Sequence, residues 1–208
     1  MHIPRSFSVN DQEKLFKFME SFNFAILVTA KEDVLNATHI PFLIDRDNSG
    51  SITLLGHLAR GNGQWCEFDE IGEVLVIFNG PHSYISPSWY KNKNLPPTWN
   101  YSAVHAYGSP SIIYDGNRIT EVLARLTLDS EKRIDGTWSI DLIDSGIFAK
   151  MTEEIVVFEI RVKKIEGKWK MSQNRRREDA WSAASGLEAE GGENNLAIAT
   201  EIRMIDEE

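Results

Sequence analysis

The sequence predicts an α+β protein: a β-barrel with helices added at both ends of the chain. Short apolar and β-branched runs follow one another closely, and turn residues separate them, which is typical of antiparallel hairpins. The regular alternation of strand and helix that marks a doubly wound sheet is absent. Helical patterns lie before the first strands and after the last ones, so the helices are additions to a barrel rather than crossovers.

The elements are predicted in order from periodicity. A helix is expected over Asp11 to Phe22, because Leu15 and Phe18 recur with Phe22 at helical spacing. Turns are expected at Lys31 to Asp33 and at Asp47 to Gly50. Alternating or apolar runs predict these strands: Phe24 to Ala30, Leu35 to Ile44, Ile52 to His57, Val74 to Asn79, Trp99 to Tyr107, Ser109 to Tyr114, Ile155 to Ile165 and Trp169 to Ser172.

Glycines supply the predicted breaks between the later strands. Gly80 with Pro81 is expected to end one strand, Gly108 to make a turn, and Glu166 with Gly167 to make a hairpin turn. Each of these predictions rests on the tendency of glycine and proline to interrupt regular structure.

The remaining helices follow from amphipathic spacing. A short helix is expected at Gly63 to Phe68 and a longer one at Asn117 to Ser130. From Arg177 to the end the chain is predicted helical, with an interruption at Glu190 to Glu193. We therefore expect residues 1–175 to form one domain and residues 176–208 to form a helical extension packed on it.

Composition limits the function classes. Acidic residues outnumber basic ones by 31 to 22, which gives a formal charge of −9 and weighs against tight DNA binding by this chain alone. No apolar run is long enough to span a membrane, and the first residues do not form a secretory signal. Cys66 is the single cysteine, so no intrachain disulfide forms. These features predict a soluble, cytoplasmic protein.

The common catalytic signatures are absent. There is no phosphate-binding loop ending in Gly-Lys-Ser/Thr, no Gly-x-Gly-x-x-Gly after a strand, and no Gly-x-Ser-x-Gly elbow. The sequence names no catalytic residue and predicts no metal site, because the histidines are scattered singly. A haem axial ligand needs only one histidine, which leaves four candidates: His39, His57, His82 and His105.

Three segments carry residue types suited to a ligand. Gly56 to Asn62 lies between a strand and a helix, where backbone N–H groups and Arg60 suit an anion, although the segment also fits an ordinary polar loop. Pro97 to Tyr101 combines aromatic and amide groups suited to a planar heterocycle, or to core packing. Trp169 to Arg175 places polar groups at a strand end, or forms a solvated turn.

These segments also belong to a longer pattern. The chain resembles the PaiB-type family of FMN-binding negative transcriptional regulators, and the resemblance covers nearly its whole length. It is carried by these motifs: Met1 to Arg5, Ala37 to Leu43, Gly56 to Arg60 with Asn62, Gln64 with Trp65, Gly80 to Tyr90, Pro97 to Tyr101, Val104 to Gly108 and Trp169 to Arg175. The pattern is less clear at residues 137–149 and 191–208.

The resemblance implies an FMN-binding split barrel, usually a homodimer with cofactor sites near the subunit interface. Phosphate contacts are then expected from the Arg60 loop and the Lys170 segment, with Trp99 and Asn100 near the flavin ring or the dimer seam. The full set of residues implied to bind the cofactor is His57, Ala59, Arg60, Asn62, Trp99, Asn100, Lys170, Gln173 and Asn174.

Three functions compete at this point. The first is an FMN-binding regulator that lowers transcription directly or through a DNA-binding or other protein partner. The second is an FMN-dependent oxidoreductase like the pyridoxamine-phosphate-oxidase relatives of the fold, in which the flavin carries the chemistry. The third is a haem-binding split barrel. Fold alone does not separate these functions.

Overall fold

A computed structural model describes residues 1–205; residues 206–208, part of the predicted C-terminal extension, lie outside the described residues. Four short 3-10 helices are present in that range, at Arg5–Phe7, Gly63–Glu67, Pro87–Trp89 and Ile140–Leu142. The α-helices there are Gln12–Ser21 (α1), Gly116–Lys132 (α2), Ser145–Glu153 (α3), Arg177–Glu190 (α4) and Glu193–Met204 (α5). The strands are Ser8–Val9 (β1), Phe24–Lys31 (β2), Val34–Pro41 (β3), Leu43–Arg46 (β4), Ile52–Ala59 (β5), Val74–Ile85 (β6), Thr98–Ile112 (β7) and Ile155–Lys170 (β8).

The strands form one sheet in the order β3-β2-β6-β7-β8-β5-β4, and β1 pairs separately with β8. The β2–β3, β2–β6, β4–β5, β5–β8 and β1–β8 pairs are all antiparallel. The β2–β3 hairpin closes through Glu32 and Asp33, whose φ angles of 47° and 65° suit the tight turns that join twisted strands. No helix within residues 1–205 has both the length and the apolar character needed to cross a membrane.

The chain divides into two compact units. The first unit contains residues 1–18, 79–104 and 166–208, and the second contains residues 19–78 and 105–165. Strands β6, β7 and β8 each contribute residues to both units. The predicted division between residues 1–175 and 176–208 follows a different criterion, the end of the barrel, and stays a prediction.

Aromatic side chains form the core of the second unit. The ring of Phe158 lies edge-on to those of Phe68 and Phe42, with ring centroids 5.0 Å and 6.1 Å apart. The ring centroids of Phe42 and Phe78 are 6.2 Å apart. Such tilted geometries are the favoured ones for aromatic pairs. On the other side of β5, helix α2 covers a second group of buried apolar residues: Leu43, Leu55, Val122, Leu126 and Val157.

The first unit has its own core. Phe18 of α1 meets Trp169 of β8 with ring centroids 4.7 Å apart. Helices α4 and α5 pack through small and branched residues, among which Ala183, Leu187 and Ile198 are fully buried. Helix α4 begins at Arg177, as predicted, and the break between α4 and α5 falls at Gly191 and Gly192, whose φ angles are positive.

The predicted glycine breaks are wrong. Strand β6 continues through Gly80, β7 continues through Gly108, and β8 continues through Gly167. At Gly108 a Cβ atom would collide with the backbone carbonyl of Arg161, so this glycine allows two strands to approach closely. The glycines at these positions therefore lie inside strands, where they allow close packing, and do not reverse the chain.

Candidate functional site

The loop after β5 is organised around the side chain of Gln64, which is 3% exposed. Its amide oxygen accepts a hydrogen bond from the Thr38 hydroxyl at 2.7 Å, and its amide nitrogen donates to the Leu27 carbonyl at 3.2 Å. Asn62 accepts from the Gln64 backbone N–H at 3.0 Å and donates to the Thr38 hydroxyl at 2.9 Å. Both polar atoms of the Asn62 amide thus have protein partners that hold the loop in place.

Arg60 lies immediately after β5 and is bound to the end of α3. Its guanidinium donates hydrogen bonds to the backbone carbonyls of Glu153 and Ile155, the latter at 2.8 Å. Carbonyls at the C-terminal end of a helix carry partial negative charge, so the arginine stabilises that end of α3. The Arg60 carbonyl also accepts a hydrogen bond from the indole N–H of Trp65 at 2.9 Å. The side chain nevertheless remains exposed, with N–H groups beyond those already bonded.

His57 and Ala59 lie at alternate positions near the end of β5. The Nδ1 atom of His57 is buried and has no hydrogen-bond partner, and burial lowers the pKa of this histidine below its ordinary value of 6.5. Ala59 is exposed, and its carbonyl accepts a hydrogen bond from the backbone N–H of Asn62 at 2.9 Å. Within residues 1–205 no three His, Cys, Asp or Glu side chains converge as metal ligands would.

In the first unit, polar and aromatic side chains share one side of three adjacent strands. We call this surface the lysine–aromatic face; it consists of His82 and Tyr84 of β6, Trp99 and Tyr101 of β7, and Lys168 and Lys170 of β8. Each pair is two residues apart and therefore points to the same side of its strand. The face thus combines positive charge with aromatic rings.

Contacts join the strands across this face. The Trp99 ring lies 5.9 Å from that of Tyr84 and 6.3 Å from that of His82. The Lys168 ammonium lies 5.0 Å from the centre of the Tyr101 ring. Trp99 remains 54% exposed, which leaves much of its indole free to stack against a flat ligand.

Three cations cluster beside the aromatic residues. Burial lowers the pKa of the Lys170 ammonium, and the positive charges of Lys168 and Arg175 lower it further. The Lys170 ammonium donates to the hydroxyl of Thr98. Within the described part of the first unit, none of the three cations is paired with a carboxylate. In a chain of net charge −9 such a cluster is a favourable place for an anion.

The turn after β8 is held in an unusual backbone conformation. Ser172 has a φ angle of 66°, which is costly for a residue with a side chain. The amide of Asn100 donates to the Ser172 hydroxyl at 2.9 Å. Gln173 accepts from the Met171 N–H at 2.6 Å and donates to the Trp169 carbonyl at 2.7 Å. Asn100 and Gln173 therefore fix the turn, and the buried oxygen of the Asn100 amide has no partner.

The predicted site residues divide between the two units. The second unit contains His57, Ala59, Arg60 and Asn62, brought together at the end of β5 and its loop. The first unit contains the other five predicted residues. Trp99 and Lys170 lie on the lysine–aromatic face. Asn100, Gln173 and the exposed Asn174 lie at the turn after β8.

Sequence reasoning missed several residues of these clusters. Lys168 was detectable, because it lies two positions before Lys170 in a run that the hairpin prediction at Gly167 interrupted. His82 was considered only as a haem ligand and Tyr84 only as part of a family motif, because their strand was predicted to end at Asn79. Gln64 gave no signal of its chemical role, since a glutamine in a loop is usually exposed.

Comparison with known proteins identifies a family model and a relative that match this chain. The family model described as "Putative FMN-binding domain" matches residues 1–164. The chain is 36% identical over 200 residues to the protein named "Protease synthase and sporulation protein PAI 2" of Bacillus subtilis (strain 168), a match that covers 96% of this chain and 95% of that protein. The lysines of the lysine–aromatic face lie beyond the family model but within the chain that the relative covers almost completely.

Solved structures with the same fold include two that bear flavin-related names. The FAD and heme binding protein from Mycobacterium smegmatis superposes with a TM-score of 0.59 at 13% identity, covering 78% of this chain and 73% of that chain. The flavocytochrome Anf3 from Azotobacter vinelandii gives a TM-score of 0.57 at 14% identity, covering 81% and 72%. At such identities the likeness shows the fold, and the predicted split barrel with added helices is confirmed.

Proposed function

The chain belongs to the family described as "Putative FMN-binding domain", and from this premise we propose that it is an FMN-binding regulatory protein of the PaiB type. FMN is the cofactor of this family. The name of the similar Bacillus subtilis protein refers to sporulation, a process that suits a regulatory role. We propose that the protein lowers transcription and acts in the cytoplasm.

The observation that carries the flavin site is the group of unpaired cations beside an exposed indole. FMN has a dianionic phosphate and a flat aromatic ring system, and the lysine–aromatic face offers a partner for each. Phosphate suits the ammonium of Lys170 and the guanidinium of Arg175, because neither donor has a carboxylate partner among residues 1–205. The half-exposed ring of Trp99 suits stacking with the flavin ring. These residues therefore fit the group.

Each nearby residue then has a role. Lys170 and Arg175 bind the phosphate, and Asn174 contributes an exposed amide donor. Asn100 and Gln173 act as positioning residues, because they hold the turn that carries Arg175. Bound FMN supplies a redox-active ring, and the chain supplies its orientation.

The loop of the second unit is a separate candidate for binding the phosphate. His57, Ala59, Arg60 and Asn62 were predicted to bind the cofactor, and Arg60 retains free N–H groups for a phosphate. The bonds of Asn62 to Gln64 and Thr38 favour a supporting role for that residue. The effect of substituting Lys170 or Arg60 on the affinity for FMN distinguishes the two placements of the phosphate.

The test is an FMN titration followed by flavin fluorescence. We expect saturable binding by the wild type and at least tenfold weaker binding by Lys170→Met, about 1.4 kcal/mol. Lys163→Met is the matched control, because Lys163 is an exposed lysine of the same strand outside the lysine–aromatic face. Absence of binding by the wild type, or equal loss in both variants, would contradict the proposed site.

The same titration with Arg60→Ala decides the placement of the phosphate. Arg60→Ala is expected to bind FMN within about twofold of the wild type, since its guanidinium already stabilises the end of α3. A tenfold loss confined to Arg60→Ala would move the phosphate to the loop of the second unit.

The regulatory part has its own experiment. The net charge of −9 favours action through a protein partner, since direct DNA binding depends on neutralising phosphates. We expect no electrophoretic shift of upstream DNA by the FMN-loaded protein alone, even at low salt. A shift that persists at moderate salt would show direct binding. Rapid reduction of bound flavin by NADH, followed by turnover, would instead favour an oxidoreductase.

A further inference from the structure

An exposed apolar surface lies in the second unit, on helix α2, helix α3 and the segment between them. Four side chains form it, and about half of each is exposed: Leu128 at 52%, Trp138 at 44%, Ile147 at 56% and Met151 at 53%. Trp138 borders one groove with Leu128 and a second groove with Met151, so the surface continues from α2 to α3. Ile147 and Met151 are four residues apart in α3 and share one face of that helix. We call these four residues the apolar patch.

The patch includes a pocket for an anchoring side chain. The groove between Trp138 and Met151 holds about 230 Å³, and its walls also include Leu126, Ile143 and Phe148. Among residues 1–205 no Lys, Arg, Asp or Glu side chain lines this groove. Protein interfaces commonly bury an apolar or aromatic side chain in such a pocket near their centre. The patch therefore offers a partner both an apolar surface and a place for one anchor.

Negative charge borders the patch. Residues 134–154, which contain three of the four patch residues, have five acidic residues and one basic residue: Asp135, Asp141, Asp144, Glu153, Glu154 and Lys150. Asp141 lines the groove between Trp138 and Leu128. Asp144 and Glu154 cap the two ends of α3. Within residues 1–205 none of the five carboxylates forms a salt bridge, so their charge is available to a partner.

This charge selects among the occupants that an apolar surface can have. Arg125, which lines the groove of Leu128, is already bound to Asp45 and offers little to an anion. A second copy of the chain would bring the same acidic residues against the patch, and an anionic membrane would be repelled as well. A positively charged segment is attracted instead. Since the patch lies on two helices, a third helix can pack into the grooves between their side chains.

We propose that the apolar patch binds a basic amphipathic helix of a partner protein. Its apolar side chains lie on the patch, and its Lys or Arg residues face Asp141, Asp144 and Glu154. This inference rests on the proposed function, in which the protein acts through a protein partner, and it supplies the surface and the chemistry of that partner. The patch belongs to the second unit and the lysine–aromatic face to the first, so each can be altered alone.

The test uses a peptide of about 14 residues made of Leu and Lys, with Leu at helical spacing, and a second peptide in which Glu replaces each Lys. Isothermal titration of the full chain measures both affinities at low and moderate salt, with and without saturating FMN. We expect the Lys peptide to bind at least tenfold more tightly than the Glu peptide, and its affinity to fall as salt rises. FMN binding is recorded on the same samples, so a failed flavin site and a failed patch give different results.

Two methionines provide a matched pair of variants. Met151 of the patch and Met204 of α5 both lie in helices and are 53% and 59% exposed, so lysine can replace either without entering a core. Met151→Lys is expected to bind the Lys peptide at least tenfold more weakly than the wild type, about 1.4 kcal/mol, because it removes an apolar contact and adds a like charge. Met204→Lys is expected to stay within about twofold. Equal effects of the two substitutions, or a wild type that binds neither peptide, would overturn the proposal.

Glu154→Gln decides the question if Met151→Lys does not fold. It removes one exposed carboxylate at nearly constant size, and we expect it to weaken binding of the Lys peptide about threefold. An unchanged affinity would count against the proposed role of the acidic residues. A dimer that Met151→Lys alone converts to monomers would assign the patch to a second copy. Binding to phosphatidylcholine vesicles that is lost in Met151→Lys would assign it to a lipid surface, and either result would overturn the proposal.

Discussion

The buried amide of Gln64 shows how much one residue does in this protein. Its side-chain oxygen and nitrogen reach Thr38 of β3 and Leu27 of β2, so a single side chain ties the loop after β5 to two strands of the second unit. Glutamine is seldom buried, and it is tolerated here because its polar atoms have partners. Removal of this amide would leave those partners buried and unsatisfied.

We predict that Gln64→Leu lowers the free energy of unfolding by roughly 2–4 kcal/mol, because leucine has nearly the same volume but satisfies none of the hydrogen bonds. Urea unfolding followed by circular dichroism measures the loss. The control is Gln12→Leu in α1, where the glutamine is exposed and its side chain donates a 3.5 Å hydrogen bond to the Asn10 carbonyl. A loss below about 0.5 kcal/mol for Gln64→Leu would contradict the role given to the network.

At the residue scale, prediction of site chemistry from sequence was incomplete for a physical reason. Residue type indicates what a side chain can bind, whereas folding decides which of its atoms are already bonded. Asn62 has amide atoms suited to a ligand, yet both are bonded to Gln64 and Thr38. Lys170 also carries a group suited to binding a ligand. Its charge is unpaired because Lys168 and Arg175, rather than carboxylates, lie near it.

At the scale of elements, periodicity predicted most of the strands and helices. The β2–β3 hairpin, helix α2 and the α4–α5 pair are all present close to their predicted positions. Strands β6, β7 and β8 were ended or divided at a glycine. The single strand predicted over Leu35 to Ile44 is wrong, since β3 ends at Pro41 and β4 begins at Leu43, and helix α3 was not predicted. Glycine occurs both in turns and where strands pack closely. The sequence does not show which residues pack against a glycine, so it does not distinguish the two uses.

The packing role of Gly108 can be tested by one methyl group. We predict that Gly108→Ala destabilises the protein by about 2 kcal/mol or more, because the added Cβ would meet the backbone carbonyl of Arg161, which cannot move aside as a side chain could. Gly116→Ala is the control, since Gly116 begins α2 with open space around it and alanine favours helix. Thermal unfolding of both variants gives the measurement, and equal stability of the two would refute the packing role.

At the scale of the whole molecule, exposed apolar side chains indicate a surface suited to contact with another protein chain. Among the described residues, Trp99 is 54% exposed, Phe24 65% and Leu35 74%. Single exposed apolar residues are common, but several on sheet strands favour an interface. This exposure supports the homodimer that the family resemblance implies.

We predict that light scattering after size-exclusion chromatography gives a mass twice that of the chain. Trp99→Asp is expected to shift the protein toward the monomer, because a carboxylate would be buried in the interface. Tyr114→Asp, which changes an aromatic residue that is 80% exposed in the second unit, is expected to remain dimeric. A monomeric wild type at micromolar concentration would contradict the prediction.

Strand β8 has a consequence for how the chain is made. It pairs with β1 in the first unit and with β5 in the second, across sequence separations of about 160 and 100 residues. During synthesis the earlier strands leave the ribosome long before β8 exists to pair with them. Contacts between residues so far apart in sequence slow folding and leave strand edges unpaired in the meantime, so the chain is expected to be prone to aggregation until β8 has been synthesised.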